Sequence, residues 1–442
     1  MRIAKLRGIA ENALLESSTI PESTLAEYSS STAYAAGARV KVSFASDGVT
    51  LRFPVEEYTS LAANNVGNYP PNSPTQWRLD GASNRWAMFD AYTSTQSEAL
   101  EKIEVEIDSS KQNIVGLFRL QAKEVVLSQI VNTELITSPD CSTDSFTKEM
   151  GWAYDATNTQ YDCDGTQTTN SRLYQVLTIK PQIHYQVQFV VSNYVAGSVA
   201  GYVGGTAGTY VTANGTYTQI IAPGGTDQVI NAKFAADFSA TGLSFAGVIA
   251  DADFIGSIDN ISVKKVPNHE TINLAYYDVT INSGWYYYFF SELSYKETVI
   301  WSFIDYSDST LRVSIIWKSG DNAKCGTLVI GNQYSLGKTL YEPTVGILDY
   351  SRKDTNEFGY TYLKQGNFSK RAEVEAWIYS ENIDVIRRVL QGVRGLPIII
   401  DANNSEYTEY SSLKIYGFYR DFDIVIQGPT MSRISITFEG LI

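Results

Sequence analysis

Residues 58–79, YTSLAANNVGNYPPNSPTQWRL, set Tyr58, Tyr69 and Trp77 among small polar residues, three prolines and one glycine. The stretch holds no Lys, His, Cys or acid, and its one Arg is Arg78. Nothing in it can move a proton or an electron. What flat rings on a stiff polar loop can offer is apolar area at low entropic cost. The same imbalance runs through the chain, which has 30 Tyr, 18 Phe and 7 Trp but only 2 His and 3 Cys. So few imidazoles and thiols leave little room for a zinc site or a His-based triad. Asp90 stands in a dense cluster with Asn84, Arg85, Trp86 and Phe89. No second carboxylate is placed beside it, so the paired-carboxylate geometry of glycoside hydrolysis is not assembled. Arg85 and Asp90 read as stitching a turn over Trp86 and Phe89. The glycine-rich GYVGGTAGTYV lacks the Lys and downstream acid of a phosphate cradle. Cys141 and Cys163 flank one loop-like region and are either a disulfide or two buried thiols, while Cys325 reads as core.

At 442 residues the chain is longer than one hydrophobic core supports, so about three domains are expected. Tyrosine in such excess, with Ser, Thr, Asn and Gly, suits β-structure. A net charge of -14 argues against nucleic-acid binding and against anionic membranes. The opening MRIAKLRGIAENALLESS has no uninterrupted apolar region of a signal peptide, and no run of eighteen apolar residues offers a membrane span.

Residues 1–26 read as an N-terminal arm and 27–78 as a small module of short strands broken by Gly, Pro and Asn. Alternation at Ile103, Val105 and Ile107 marks half-buried strands in 79–131. Residues 132–266 turn Gly-, Thr- and Ala-rich, with period-two stretches such as Tyr185, Val187, Phe189 and Val191. This block reads as a β-sandwich inserted into a host sandwich formed by 79–131 and 267–340. Residues 341–442 change to α+β. Strand-like alternation at Ala372, Val374 and Ala376 precedes a helix over 382–394, which Ser380 would cap and Gly395 and Pro397 would end. The aromatic run GWYYYFF, 284–290, suits a strand buried on both faces or a subunit contact.

Three resemblances extend this reading. Tyr28, Tyr34-Gly37-Val40, Tyr58-Ser60, the turn 64–71 and Trp77 resemble the small carbohydrate-binding modules found beside chitinases and cellulases. Tyr28 stands where that family usually has a Trp, and VSFASDGVTLRF is longer than its usual hairpin. The resemblance implies that Tyr58, Tyr69 and Trp77 stack on sugar rings. Residues 132–266 resemble the jelly-roll carbohydrate-binding modules of the galactose-binding-like superfamily, through Asn132, Trp152, Tyr185-Val187-Phe189 and Asp259-Asn260-Ile261-Val263. Leu135 replaces the usual Phe, and Lys180-Pro181 a Gly. This implies sugar contacts by Trp152, Tyr154, Tyr194 and Tyr202. It also implies a structural calcium held by Glu134 and Asp259, tying the first strand to the last.

The C-terminal part, with Leu336-Gly337-Thr339, Asp349-Tyr350-Ser351-Lys353, Phe358-Gly359 and a closing EGL, resembles baseplate and distal tail proteins of long-tailed, siphovirus-like bacteriophages. That resemblance implies a mainly β chain ending in a tail-tube-like α+β domain. It implies a ring of three or six copies at the virion tail tip, made in the host bacterial cytoplasm. Tail-tube, tape-measure and other baseplate proteins would be its neighbours and host cell-surface glycans its ligands, with no catalysis. The competing expectations are a secreted polysaccharide-degrading enzyme with accessory modules and a bacterial surface adhesin. The enzyme needs a paired-carboxylate cleft, and the adhesin an export signal or anchor.

Overall fold

The computed structural model describes residues 1–10, 12–90, 95–180, 183–224, 243–274, 297–340, 342–355, 357–403 and 410–441. The aromatic run 284–290 lies outside the described residues. The chain is mainly β, built of curled antiparallel sheets, and divides into two compact units. One comprises Met1–Val126, Thr271–Asp305 and Val313–Ile442; the other comprises Leu127–Glu270 and Tyr306–Arg312.

The first unit is organised by an 11-stranded sheet. Its strands run in the order Thr298–Ser302, Ile114–Gln121, Asn322–Ser335, Arg2–Arg7, Ile398–Asp401, Lys414–Val425, Met431–Gly440, Phe368–Tyr379 and Lys338–Thr339. Thr344–Asp349 also pairs with Phe368–Tyr379, and Ser97–Leu100 with Asn322–Ser335. Two expectations are corrected here. Residues 2–7 are no arm: they form an interior strand, bonded to Asn322–Ser335 on one side and Ile398–Asp401 on the other. The boundary set at 340 falls inside this one sheet, because that strand joins the two halves.

Strand periodicity sorts the side chains of this sheet. Ile3, Ile398 and Ile400 enter a core with Val374, Ala376, Ile434, Ile436 and Phe438, whereas Ala4 and Ile399 enter another with Ile114, Phe118 and Ile300. The first core is covered by the helix Ile383–Gly392 through Ile386 and Leu390, with Val393 just beyond it. Ser380 does not cap that helix. It opens a 3-10 turn, Ser380–Asn382, and its hydroxyl donates to Gly428 O at 2.8 Å. Gly395 follows with a φ of +70°, a left-handed turn that suits glycine. Leu336 is buried in the first core, and Thr339 Oγ1 donates to Ala402 O at 3.0 Å. Between them Gly337 has a φ of +99°, and a Cβ there would lie 2.1 Å from Trp377 O. That short motif is therefore used for packing.

Residues 27–82 of the same unit hold a three-stranded sheet, Arg39–Phe44, Leu51–Ser60 and Trp77–Ala82. Its core is Val40, Val42, Tyr58 and Trp77, with Tyr28, Tyr34 and Tyr69 packed against them.

In the second unit, two five-stranded antiparallel sheets enclose one core, an arrangement consistent with a β-sandwich. One sheet runs Thr147–Lys148, Ser171–Thr178, Leu243–Ala250, Val199–Val203 and Thr206–Ala207. The other runs Trp152–Asp155, Gln160–Asp164, Ile255–Val266, His184–Ala196 and Gly215–Ile221. Tyr185, Val187, Phe189 and Val191 all point into the core. Cys141, Cys163 and Cys325 are free and buried, so the disulfide alternative falls. Burial raises all three thiol pKa values, Cys163 to about 11, which keeps these groups protonated and inert.

The chain's two histidines meet in this unit. The rings of His184 and His269 lie 4.7 Å apart, and His269 Nδ1 shares a 2.7 Å hydrogen bond with Ser128 Oγ. Burial lowers the pKa of both, and the neighbouring His184 lowers that of His269 further. The neutral form is thus favoured in the fold, while the unfolded chain protonates near its ordinary value of about 6.5. Stability contributed by the pair is present above that value and is lost as pH falls below it. Melting temperature measured from pH 7.5 to 5 should drop more for the wild type than for His269→Gln. Equal drops would remove the pair as the cause.

Candidate binding face

The outer face of the sheet carrying Ser171–Thr178 is set by strand alternation. Leu173 and Val248 face the core, so Arg172, Tyr174, Ile249 and Gly247 face outward. Register places Arg172 and Ala200 on either side of Ile249, and Tyr174 and Tyr202 on either side of Gly247. Gly247 has no side chain and is itself buried, so the space between the two tyrosines is left to the Arg172 side chain. Phe245 closes one end of that space, its ring 4.4 Å from Tyr174 and inclined at 58°.

Arg172 lies among these rings. Its guanidinium carbon is 5.0 Å from the Phe245 centroid, 5.7 Å from Tyr174 and 5.8 Å from Tyr202. Glu149 holds it there, accepting from Nε at 2.9 Å and Nη2 at 2.7 Å through Oε1. The other carboxylate oxygen, Oε2, accepts from the Arg172 backbone N–H at 2.8 Å. The hydrogen bond to Glu149 raises the guanidinium pKa, a shift that burial opposes. Tyr202 is mostly covered by its neighbours, whereas Tyr174 and Phe245 are half exposed.

Both oxygens of Glu149 are committed to Arg172. Among the described residues no group of three or more His, Cys, Asp and Glu could hold a metal. Rings beside a compensated guanidinium suit a ligand with an apolar face and polar edges, such as a pyranose.

Of the sugar-contact residues expected from sequence, Tyr202 alone belongs to this face. Trp152 is buried in the sandwich core with Phe254, their rings 6.0 Å apart. Tyr154 and Tyr194 sit on the opposite sheet, half-buried, with their hydroxyls donating to Cys141 O at 3.0 Å and Gly197 O at 2.9 Å. The residues that complete the face, Glu149, Arg172, Tyr174 and Phe245, were not singled out. Alternation in SRLYQVLT is a usable signal for Arg172 and Tyr174. Phe245 comes from a strand about seventy residues away, and only pairing brings it there.

The loop 58–79 is also corrected. Trp77 and Tyr58 are buried, and Tyr34 packs edge-on to Trp77 at 5.1 Å. Trp77 Nε1 donates to Asn68 O at 2.8 Å, and the Tyr69 hydroxyl to Phe44 O at 2.7 Å. The Tyr58 hydroxyl donates to Glu56, and burial raises its pKa. Tyr58 and Trp77 serve as core of the small module, and Tyr69 is half-buried against them. Near that module, Asp90 accepts from Thr95 Oγ1 at 2.9 Å, and Trp86 Nε1 donates to Glu22 at 2.8 Å.

Glu134 and Asp259 do not fit a calcium. Glu134 Oε1 accepts from the backbone N–H groups of Leu135 and Ile136 at 3.0 Å and of Val263 at 2.8 Å, and Oε2 accepts from Ser262 Oγ. Calcium takes about six to eight oxygen ligands, and both oxygens of this carboxylate are already engaged by donors. Asp259 Oδ1 accepts separately from Asn260 Nδ2 at 3.0 Å. No family model, curated protein or solved structure matches the chain.

Proposed function

We propose that this chain is a structural, non-catalytic component of a bacteriophage tail tip or baseplate. Its first unit joins copies of itself into a ring, with a tail-tube-like C-terminal part. Its second unit, a jelly-roll module, presents a glycan-binding face to the host surface. The virion tail tip is then its place, and tail-tube, tape-measure and other baseplate proteins its neighbours.

One observation carries the assembly reading. Strand Thr344–Asp349 has Val345 and Ile347 exposed and no further strand beside it among the described residues. A monomer ordinarily blunts or covers such an edge, because its unpaired N–H and C=O groups recruit another strand. Pairing between neighbours around a symmetry axis satisfies them without an open end. The aromatic face around Arg172 supports the glycan part. Single contacts there are weak, and a ring multiplies them through effective concentration.

Electron microscopy of the purified full chain should show a three- or sixfold ring. Retention on host cell-wall polysaccharide should fall at least about tenfold in Tyr174→Ala and Phe245→Ala, since each removes a stacking ring. Both variants should melt like the wild type. A strictly monomeric particle would remove the assembly reading, and unchanged retention by both variants would remove the binding face. Release of reducing ends from the polysaccharide would instead favour the enzyme alternative.

A further inference from the structure

The first unit contains a cleft of about 380 Å³ whose charge runs against that of the whole chain. Among the described residues, Arg119, Lys370 and Lys414 line it with one carboxylate, Glu297, while the protein carries a net charge of -14. Phe118, Phe368 and Tyr416 supply apolar walls. Lys370 Nζ donates to Ser411 O at 3.4 Å, and burial lowers its pKa, a shift that Glu297 opposes. A cleft of this composition favours a ligand with one acid and one ring.

The hairpin that rises beside the cleft ends in such a pair. Its limbs, Arg352–Thr355 and Thr361–Lys364, are paired and exposed along nearly their whole length. At and near the tip stand Glu357, exposed, and Phe358, Tyr360 and Leu363, whose exposures are 84%, 73% and 79%. Apolar side chains exposed to that degree on one arm mark an interaction surface. Asn367 and Phe368 line the cleft at the hairpin's base, and the paired limb Thr361–Lys364 carries the tip away from that base by about 13 Å at the usual strand rise.

We propose that the hairpin tip of one copy docks into this cleft on a neighbouring copy, with Phe358 among the rings and Glu357 against Lys370 and Arg119. This deepens the ring assembly proposed above and rests on it. The contact gives the ring a side-chain lock in addition to backbone pairing, and the charge match makes tip and cleft specific for each other.

Sedimentation velocity on the full chain tests it, with Glu357→Lys, Lys370→Glu, Phe358→Asp and the double variant Glu357→Lys/Lys370→Glu. Each single change should weaken association at least about tenfold, because it sets like charges together or buries a charge. The double variant should regain most of the loss. If Lys370→Glu fails to fold by circular dichroism, Arg119→Glu, at an exposed position, replaces it in both arms. A wild type that assembles together with Glu357→Lys and Phe358→Asp proteins that assemble equally well overturns the docking and leaves the ring standing. Singles that weaken assembly without rescue in the double also overturn it. A wild type that stays monomeric at every concentration overturns the docking and the ring together.

Discussion

Arg2→Ala should cost the first unit about 3 kcal/mol, a large share of what usually holds a domain folded. Arg2 sits on an interior strand of the 11-stranded sheet, where its Nε and Nη2 donate to Asp401 Oδ2 at 3.0 and 2.7 Å. Its Nη1 donates to Ser302 and Gln333. The Asp401 side chain is only 7% exposed, so losing the guanidinium leaves a carboxylate in the sheet interior with its principal counter-charge gone. Asn403 still donates to Asp401 through its backbone N–H at 3.2 Å and Nδ2 at 3.0 Å, which limits the loss. The double variant Arg2→Met/Asp401→Leu should recover much of the stability, because no charge is then stranded. Denaturant unfolding of the three proteins measures this. A single variant as stable as the wild type would mean that water reaches Asp401 and that the pair is a surface contact.

That same strand shows where the sequence is legible and where it is not. Local alternation was readable wherever one face is buried: Tyr185 to Val191 and Ala372 to Ala376 lie as their spacing requires. The helix was readable from Ile386, Leu390 and Val393, although it ends at Gly392, two residues before the expected 394, and Ser380 finds a partner at Gly428 in place of the helix end. Residues 2–7, RIAKLR, carry three cations and read as part of an N-terminal arm, yet they pair on both edges. What places them is register with strands more than three hundred residues away, and a local pattern holds no trace of that.

The site was less legible than the fold for a related reason. A ring's type says that it will contact something, and burial decides what. In residues 27–82 the apolar supply is thin, with Val40 and Val42 the main aliphatic contribution, so Tyr28, Tyr34, Tyr58, Tyr69 and Trp77 are drawn inward to make a core. A module of about fifty residues buries too little surface to spare its largest rings. The sandwich has aliphatic residues enough on both sheets, and there Tyr174 and Phe245 can stay on the outer face. Both features were written in the same residue types, and only the size of the local core separates them.

Core supply also bears on how the sandwich ends are tied. Glu134→Ala should destabilise the second unit by about 3 kcal/mol, since hydrogen bonds to charged groups contribute about 1.5–3 kcal/mol each and several are lost together. The carboxylate joins the start of the unit to its last long strand. Leu135 N–H donates to Val263 O at 3.0 Å, and Glu134 accepts in return from Val263 N–H and Ser262. These hydrogen bonds make the tie that was expected of a calcium. Glu134→Gln should lose less, because an amide oxygen still accepts from the three backbone donors. Thermal unfolding with 5 mM-class calcium or a chelator, on the order of a thousandfold above sensor affinities, should leave the wild-type transition in place. A calcium-dependent rise in wild-type melting temperature that Glu134→Ala abolishes would show that the carboxylate releases its backbone donors and serves as a metal ligand.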